Sequence, residues 1–297
     1  FYCILIIDNL YFMEIISGKD MAAQLRQTIA ADVEACVEKY GRRPKLAVIL
    51  VGEDPGSTSY VRSKGKAAVE VGFEYLGIHK PDTITESELL DIVAELNQDD
   101  SVDGILVQLP LPNHINEDHI IDAIHPDKDV DGFHPINVAA LWQKRPGIRP
   151  CTPKGIIKLM KATGIDISGK NAVVIGRGDI VGMPLSKLLL DENATVTICH
   201  SYTKNLQEIC AQADIIVPAV GKPHIVTADM VKPGAIVIDV GINRNPDTGK
   251  VCGDVDFDAV APKTSFITKV PGGVGPMTIA CLMESTYECY LNHVSKN

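Results

Sequence analysis

The sequence predicts an α/β protein of two domains, each built on a parallel sheet. Three observations carry this. Lys45 to Val51 is a continuous apolar run, the mark of a strand buried on both faces. Further apolar runs alternate with helix-period segments at intervals that suit βα crossovers. A stretch of breaks and turns holding Pro110, Pro112, Pro126, Pro135, Pro146, Pro150 and Pro153 interrupts the series and puts a boundary near residue 150. At 297 residues, each half is large enough for its own core.

Taken in order, Lys19 to Tyr40 carries Met21, Leu25, Ile29, Val33 and Val37 at helical spacing and ends at Gly41, a C-cap residue. The Lys45–Val51 strand leads through a polar loop, Gly52 to Ser59, into a helix over Tyr60 to Val71. Phe73 to Ile78 is the second strand, Glu86 to Leu96 an amphipathic helix, and Gly104 to Leu109 the third strand. The second half repeats the alternation. Strands fall at 172–175, 194–199, 215–217 and 235–240, and helices at 181–190 and from Lys204, a compact Rossmann-type series. Met277 to Val294 is a last helix, long enough to return to the first domain. The expected domains are thus 13–150 with 277–297, and 151–276.

Residues 1–12 stand apart. They are apolar but interrupted by Asp8 and Asn9, too short to span a bilayer, and lack the basic start and cleavage site of a signal peptide. Asp8-Asn-Leu-Tyr-Phe12 resembles a tag-protease site, so this stretch counts as a tag remnant or an atypical extension. A net charge of −10 without a basic run argues against nucleic-acid binding, and nothing suggests a membrane. The eight cysteines form no C-x-x-C pair, which argues against a metal site or a disulfide framework and fits a reducing cytoplasm. Cys199 and Cys281 lie in apolar runs and read as core thiols.

The helix over Tyr60–Val71 is unusual. Arg62, Lys66 and Glu70 share one polar face, while Tyr60 and Lys64 line up with Ala67, Ala68 and Val71, the stripe that should be buried. Either Lys64 snorkels to water along its stem, or it is buried, its pKa lowered, and able to relay protons near neutral pH.

Val173-Val-Ile-Gly176-Arg177-Gly178-Asp-Ile-Val181-Gly182 follows a strand and opens a helix. A glycine turn there offers backbone N–H groups and a helix N-terminus to a pyrophosphate. Its G-x-G-x-x-x-G spacing is one residue longer than the usual fingerprint, and the alternative is a tight structural turn. The next strand ends Cys199-His200-Ser201, without the acid that grips an NAD ribose. Arg177 and Ser201 suit a 2′-phosphate, which favours NADP.

Gln108 lies at the carboxyl end of a parallel strand, where open α/β sheets bind ligands; as an amide it serves either a lysine amine, a substrate heteroatom or nearby backbone. Asp127-Lys-Asp129-Val-Asp131 places three acids in one turn. Two read as solvated turn-formers, and one in a cleft would bind an aminopyrimidine edge. Pro271-Gly272-Gly273-Val-Gly275 carries little side chain and suits close approach of backbone to a flat ligand.

Tyr60-x-x-x-Lys64, Val107-Gln108-Leu109-Pro-Leu-Pro112, Lys128-Asp-Val-Asp131-Gly132, Pro150-Cys-Thr-Pro-Lys-Gly155, Gly176–Gly182, Asp239-Val-Gly-Ile242-Asn243 and Pro271–Met277 stand in one order. In this the chain resembles the bifunctional methylenetetrahydrofolate dehydrogenase/methenyltetrahydrofolate cyclohydrolases of the FolD type, from about residue 14 to about 290. The resemblance implies a folate cleft between the two domains, tetrahydrofolate one-carbon derivatives as substrates, NADP as cofactor and a homodimer. It makes Lys64 the catalytic lysine, Gln108 the residue tuning it, Tyr60 the pterin-stacking ring and Asp131 the pterin anchor. It adds Val107, Leu109, Pro271, Gly272 and Gly273 on the substrate side. Gly176, Arg177, Gly178, Val181, Ser201, Ile242 and Gly275 fall on the cofactor side. Two departures stand out: Gly65, where a larger residue is common and glycine costs roughly 1 kcal/mol in a helix, and Gly178, where serine is common. A monofunctional dehydrogenase, or another NADP-linked two-domain dehydrogenase such as a shikimate-dehydrogenase-like enzyme, is the alternative.

Overall fold

The structure, a computed structural model, describes residues 13–245 and 248–295. The expectation for residues 1–12 lies outside them. The described chain forms two compact units, one of residues 20–155 with 276–295 and the other of residues 13–19 with 156–275. The C-terminal helix therefore joins the first unit. The boundary differs from the expected one in two respects. It falls after Gly155, inside the helix Cys151–Ala162, and residues 13–19 belong to the second unit. The reason is pairing: Glu14–Ile16 is a strand lying parallel to Phe266–Thr268.

The first unit is built on a three-stranded parallel sheet with Lys45–Val51 between Glu74–Lys80 and Gly104–Val107. The central strand is buried on both faces, as its unbroken apolar run requires. Beneath it Ala47, Ile49, Leu89, Val93, Val102, Ile105 and Ile120 form one cluster. The helix Glu86–Gln98 starts at a capping box, in which Glu88 N–H donates to Thr85 Oγ1 and Thr85 N–H donates to the Glu88 carboxylate. At its other end Lys128 Nζ donates to the carbonyls of Leu96, Asn97 and Asp99 at 3.0, 2.9 and 2.8 Å. Burial pulls the Lys128 pKa down, partly offset by Asp99 and its acidic neighbours. The proline-rich stretch is more ordered than expected: Glu117–Ala123 and Pro135–Trp142 are helices, capped by Asn116 and His134.

Asp103 ties the C-terminal helix into this unit. It is fully buried and accepts both Arg42 Nη atoms at 2.7 Å, the Lys45 N–H at 2.9 Å and His293 Nδ1 at 3.0 Å. Tyr290 donates its hydroxyl to the Arg42 carbonyl, and the Arg42 guanidinium lies 4.8 Å from its ring centre. Burial alone would raise the Asp103 pKa, but Arg42, His293 and the Lys45 amide together hold it below the usual carboxylate range. Asp103→Asn should cost roughly 3 kcal/mol, because removing one partner strands the other charge. The sign with pH follows from the depressed pKa. The contribution is whole above the ordinary carboxylate value and lost as pH falls through the folded one. Urea unfolding of both proteins at neutral pH and at pH 3 checks this; equal midpoints at neutral pH would contradict it.

The second unit carries a six-stranded parallel sheet in the order Glu14–Ile16, Thr264–Thr268, Ala235–Val237, Ile215–Pro218, Asn171–Ile175, Thr195–Cys199. Helices Gly182–Asp191 and Leu206–Cys210 follow their strands as the alternation predicts. Val173, Ile175, Ile216, Val237 and Ile267 meet in its core with Cys199 and Cys210. Cys281 is likewise buried, in the first unit.

Candidate active site

The helix that carries Lys64 begins five residues before the expected start, at Pro55. Asp54 caps it, accepting the Ser57 N–H at 2.7 Å, and Pro55 supplies a first-turn residue that needs no N–H partner. It ends where Gly72, at φ +81°, lets Phe73 N–H donate back to the Ala68 carbonyl at 2.9 Å. Arg62, Lys66 and Glu70 are exposed, whereas Lys64, Ala67, Ala68 and Val71 are buried and Tyr60 is half-buried. Lys64, 8% exposed, does not snorkel. Its Nζ donates to Gln108 Oε1 at 3.0 Å.

Gln108 stands one residue beyond its strand, which ends at Val107 rather than Leu109. Its N–H donates to the Ile49 carbonyl, and its Nε2 to the Leu109 carbonyl at 2.6 Å. With Nε2 engaged, the amide oxygen is turned to the lysine. Leu109–Pro110 is a cis peptide, as is Val270–Pro271.

The acidic turn corrects one expectation. Asp129 is not a solvated turn-former but is buried, accepting from Gly132 N–H, His134 N–H and Asn137 Nδ2. It holds the turn so that Asp131 follows on a fixed backbone. Burial raises the Asp131 pKa; the Lys64 charge and a hydrogen bond from the Cys151 thiol oppose this, and Asp129 adds to it. Cys151 Sγ also lies 3.4 Å from the Val130 carbonyl oxygen. Lys64, Gln108, Asp131 and Cys151 thus belong to one unit, and Cys151 is the member whose contact with Asp131 was not anticipated.

Tyr75 was also not anticipated. A side chain at Gly65 would meet its ring at 3.0 Å, so the ring fills the space where a larger residue would point. This gives the Gly65 departure a packing reason.

In the second unit, strand register pairs Ile175 with Cys199, so Arg177 and Ser201 each leave the same sheet edge two residues later, both exposed. Gly176 has φ +121°, and a Cβ there would meet the Ala219 carbonyl oxygen at 2.5 Å. A Cβ on Gly182 would collide with the Gly176 carbonyl. No side chain caps the helix that starts at Gly182 after Val181, which fits an anion at that terminus. Gly178 has open space around it, so a missing hydroxyl there leaves no packing gap. Ile242 is 52% exposed on the segment after Ala235–Val237. Pro271, Gly272, Gly273 and Gly275 lie in this unit too, where Lys19 N–H donates to the Gly272 carbonyl. Among the residues expected on the substrate side, Tyr60, Val107, Gln108, Leu109 and Asp131 therefore share a unit with Lys64, and Pro271–Gly273 share one with Gly176.

Asp239, the first residue of the Asp239–Asn243 motif, is buried and accepts N–H bonds from Gly241, Asp254 and Val255. Burial pushes its pKa up to about 6 against those three bonds, and the Asp254 charge adds to the rise.

A glycine turn on an uncapped helix in one unit and a buried lysine–amide pair in the other mark the class as a dinucleotide-dependent α/β enzyme. The particular family follows from comparison. "Tetrahydrofolate dehydrogenase/cyclohydrolase, catalytic domain" matches residues 16–131 and the corresponding NAD(P)-binding domain matches residues 150–294; the chain belongs to this family. It is 54% identical over 283 residues to the bifunctional protein FolD of Streptococcus pneumoniae serotype 4, covering 95% of this chain and 99% of that protein. The crystal structure of the bifunctional enzyme FolD from Campylobacter jejuni superposes with a TM-score of 0.92 at 49% identity, over 94% of this chain and 99% of that one. The Trypanosoma brucei methylenetetrahydrofolate dehydrogenase-cyclohydrolase, complexed with NADP cofactor and inhibitor, gives 0.91 at 38%, over 94% and 98%. Among the described residues no helix is long and apolar enough to cross a membrane.

Proposed function

We propose that the protein oxidises 5,10-methylenetetrahydrofolate to 5,10-methenyltetrahydrofolate with NADP⁺ and hydrolyses the product to 10-formyltetrahydrofolate. The observation that carries the second activity is the buried Lys64–Gln108 hydrogen bond in the unit that also holds Asp131. Relatives described as bifunctional support both activities over a dehydrogenase alone.

NADP⁺ supplies the hydride acceptor when bound. The chain's share of the oxidation is positioning, since no protein base is needed: Tyr60 stacks the pterin, and Asp131 accepts its N–H donors. The backbone of Val107, Leu109 and Pro271–Gly273 adds close contacts to the folate. Gly176, Gly178, Val181, Ile242 and Gly275 provide backbone and apolar contacts to the dinucleotide, and Arg177 and Ser201 meet its 2′-phosphate. In the hydrolysis, water adds to the methenyl carbon and one carbon–nitrogen bond opens. A proton must leave that water and another must reach the departing nitrogen. Lys64 Nζ relays them, held by Gln108 Oε1. We further propose that the enzyme works as a homodimer in the cytoplasm, a reading that the family resemblance supports; a single-chain mass by light scattering would contradict the dimer.

A stopped assay tests the whole scheme. With methylenetetrahydrofolate and NADP⁺, methenyl product should appear first and 10-formyl product after it. Absence of the formyl product above the uncatalysed rate would reduce the protein to a dehydrogenase.

A further inference from the structure

Asp254 lies in none of the sites above, yet it is fully buried and its carboxylate takes four donors. Oδ2 accepts the N–H of Val220 at 2.8 Å and of Gly221 at 3.1 Å; Oδ1 accepts the N–H of Lys222 and the Asn243 side-chain amide, both at 2.8 Å. Three consecutive backbone amides converging on one carboxylate fix the loop that follows the strand Ile215–Pro218. Asn243 fixes the neighbouring segment, immediately after Ile242. Space has been cleared for this: a side chain at Gly241 would collide with the Asp254 carboxylate, and one at Gly253 with that of Asp239.

The held loop reaches the phosphate turn directly. Ala219, one residue before the first held amide, donates its N–H to the Ile175 carbonyl at 2.8 Å. The Ala219 carbonyl and the Val220 side chain form the wall on which Gly176 rests, at 2.5 and 3.3 Å from where a Cβ would stand. Gly176 in turn leaves no room for a side chain on Gly182, the first residue of the helix. A continuous line of contacts therefore runs from the Asp254 carboxylate through 219–222 to the glycine turn, with a branch through Asn243 to Ile242. All of these residues lie in the second unit.

We propose that Asp254 is a positioning residue for the dinucleotide, setting the height of the glycine turn and the presentation of Ile242 without touching the cofactor. This rests on the placement of NADP⁺ at the Gly176 turn. The two steps of the reaction provide an internal control, because hydrolysis of supplied methenyltetrahydrofolate requires no dinucleotide. Asp254→Asn and Asp254→Ala should raise KM for NADP⁺, the alanine variant by about tenfold or more from the loss of buried acceptors. The asparagine variant, which keeps one oxygen, should fall between it and the parent. KM for methylenetetrahydrofolate and the cyclohydrolase rate should stay within about twofold, the scatter expected of distant independent sites. Unchanged KM for NADP⁺ in both variants overturns the proposal. So does a parallel fall in cyclohydrolase rate, which marks a general structural role. If alanine does not fold, the asparagine variant alone decides. Failure of the underlying placement would look different: Arg177→Ala and the Asp254 variants measured side by side would then show the first without effect on NADP⁺.

Discussion

Lys64→Met is expected to lower cyclohydrolase activity by roughly 100- to 10,000-fold, the range spanned by general acid–base catalysis. Methionine keeps an unbranched stem of similar reach, so the buried stripe of Ala67, Ala68 and Val71 stays packed. What is lost is the ammonium and its bond to Gln108 Oε1. Oxidation of methylenetetrahydrofolate should keep most of its rate, because hydride transfer asks the chain for alignment rather than for a proton relay. Both rates can be followed on one preparation, with methylenetetrahydrofolate and NADP⁺ for the first and methenyltetrahydrofolate alone for the second. Equal losses in the two would show that Lys64 orients the folate and does not move protons.

The second large effect concerns the dinucleotide. Arg177→Ala should raise KM for NADP⁺ by roughly tenfold, the lower part of the range for a charge-assisted bond because the guanidinium is exposed. KM for NAD⁺, which has no 2′-phosphate, should barely move. The effect should also shrink as salt is added, since an exposed ion pair is screened. Matching changes for both dinucleotides would remove Arg177 from 2′-phosphate recognition.

Much of the fold and of the site is legible in the sequence, for local reasons. Lys45–Val51 is found residue for residue because a strand buried on both faces must be apolar along its buried length, here Leu46 to Val51. Lys64 could be singled out because helical spacing alone sets it in line with Ala67, Ala68 and Val71. The proline-rich stretch misled because its signals have two uses. Asn116 and His134 end a turn and also begin a helix, and Pro135 suits both. Asp54-Pro55 was passed over in the same way, as loop rather than helix start. Other features were hidden because they are made by distant partners. Glu14–Ile16 is three residues long, and only its pairing with Phe266–Thr268 makes it a strand. Tyr75 explains Gly65 only once the strand and helix are packed together. Asp254 acts on backbone N–H groups, which every residue but proline has, so no side-chain pattern announces its partners.

The placement of Glu14–Ile16 and of the C-terminal helix has an evolutionary and practical consequence. No single scissile point in the gene separates the halves, because each keeps a piece at the far end of the other. A recombinant that imported only 156–275 from a relative with another dinucleotide preference would set a foreign sheet edge against the resident Ile16, which is buried to 1% exposure. Productive chimaeras therefore need residues 13–19 to travel with that cassette.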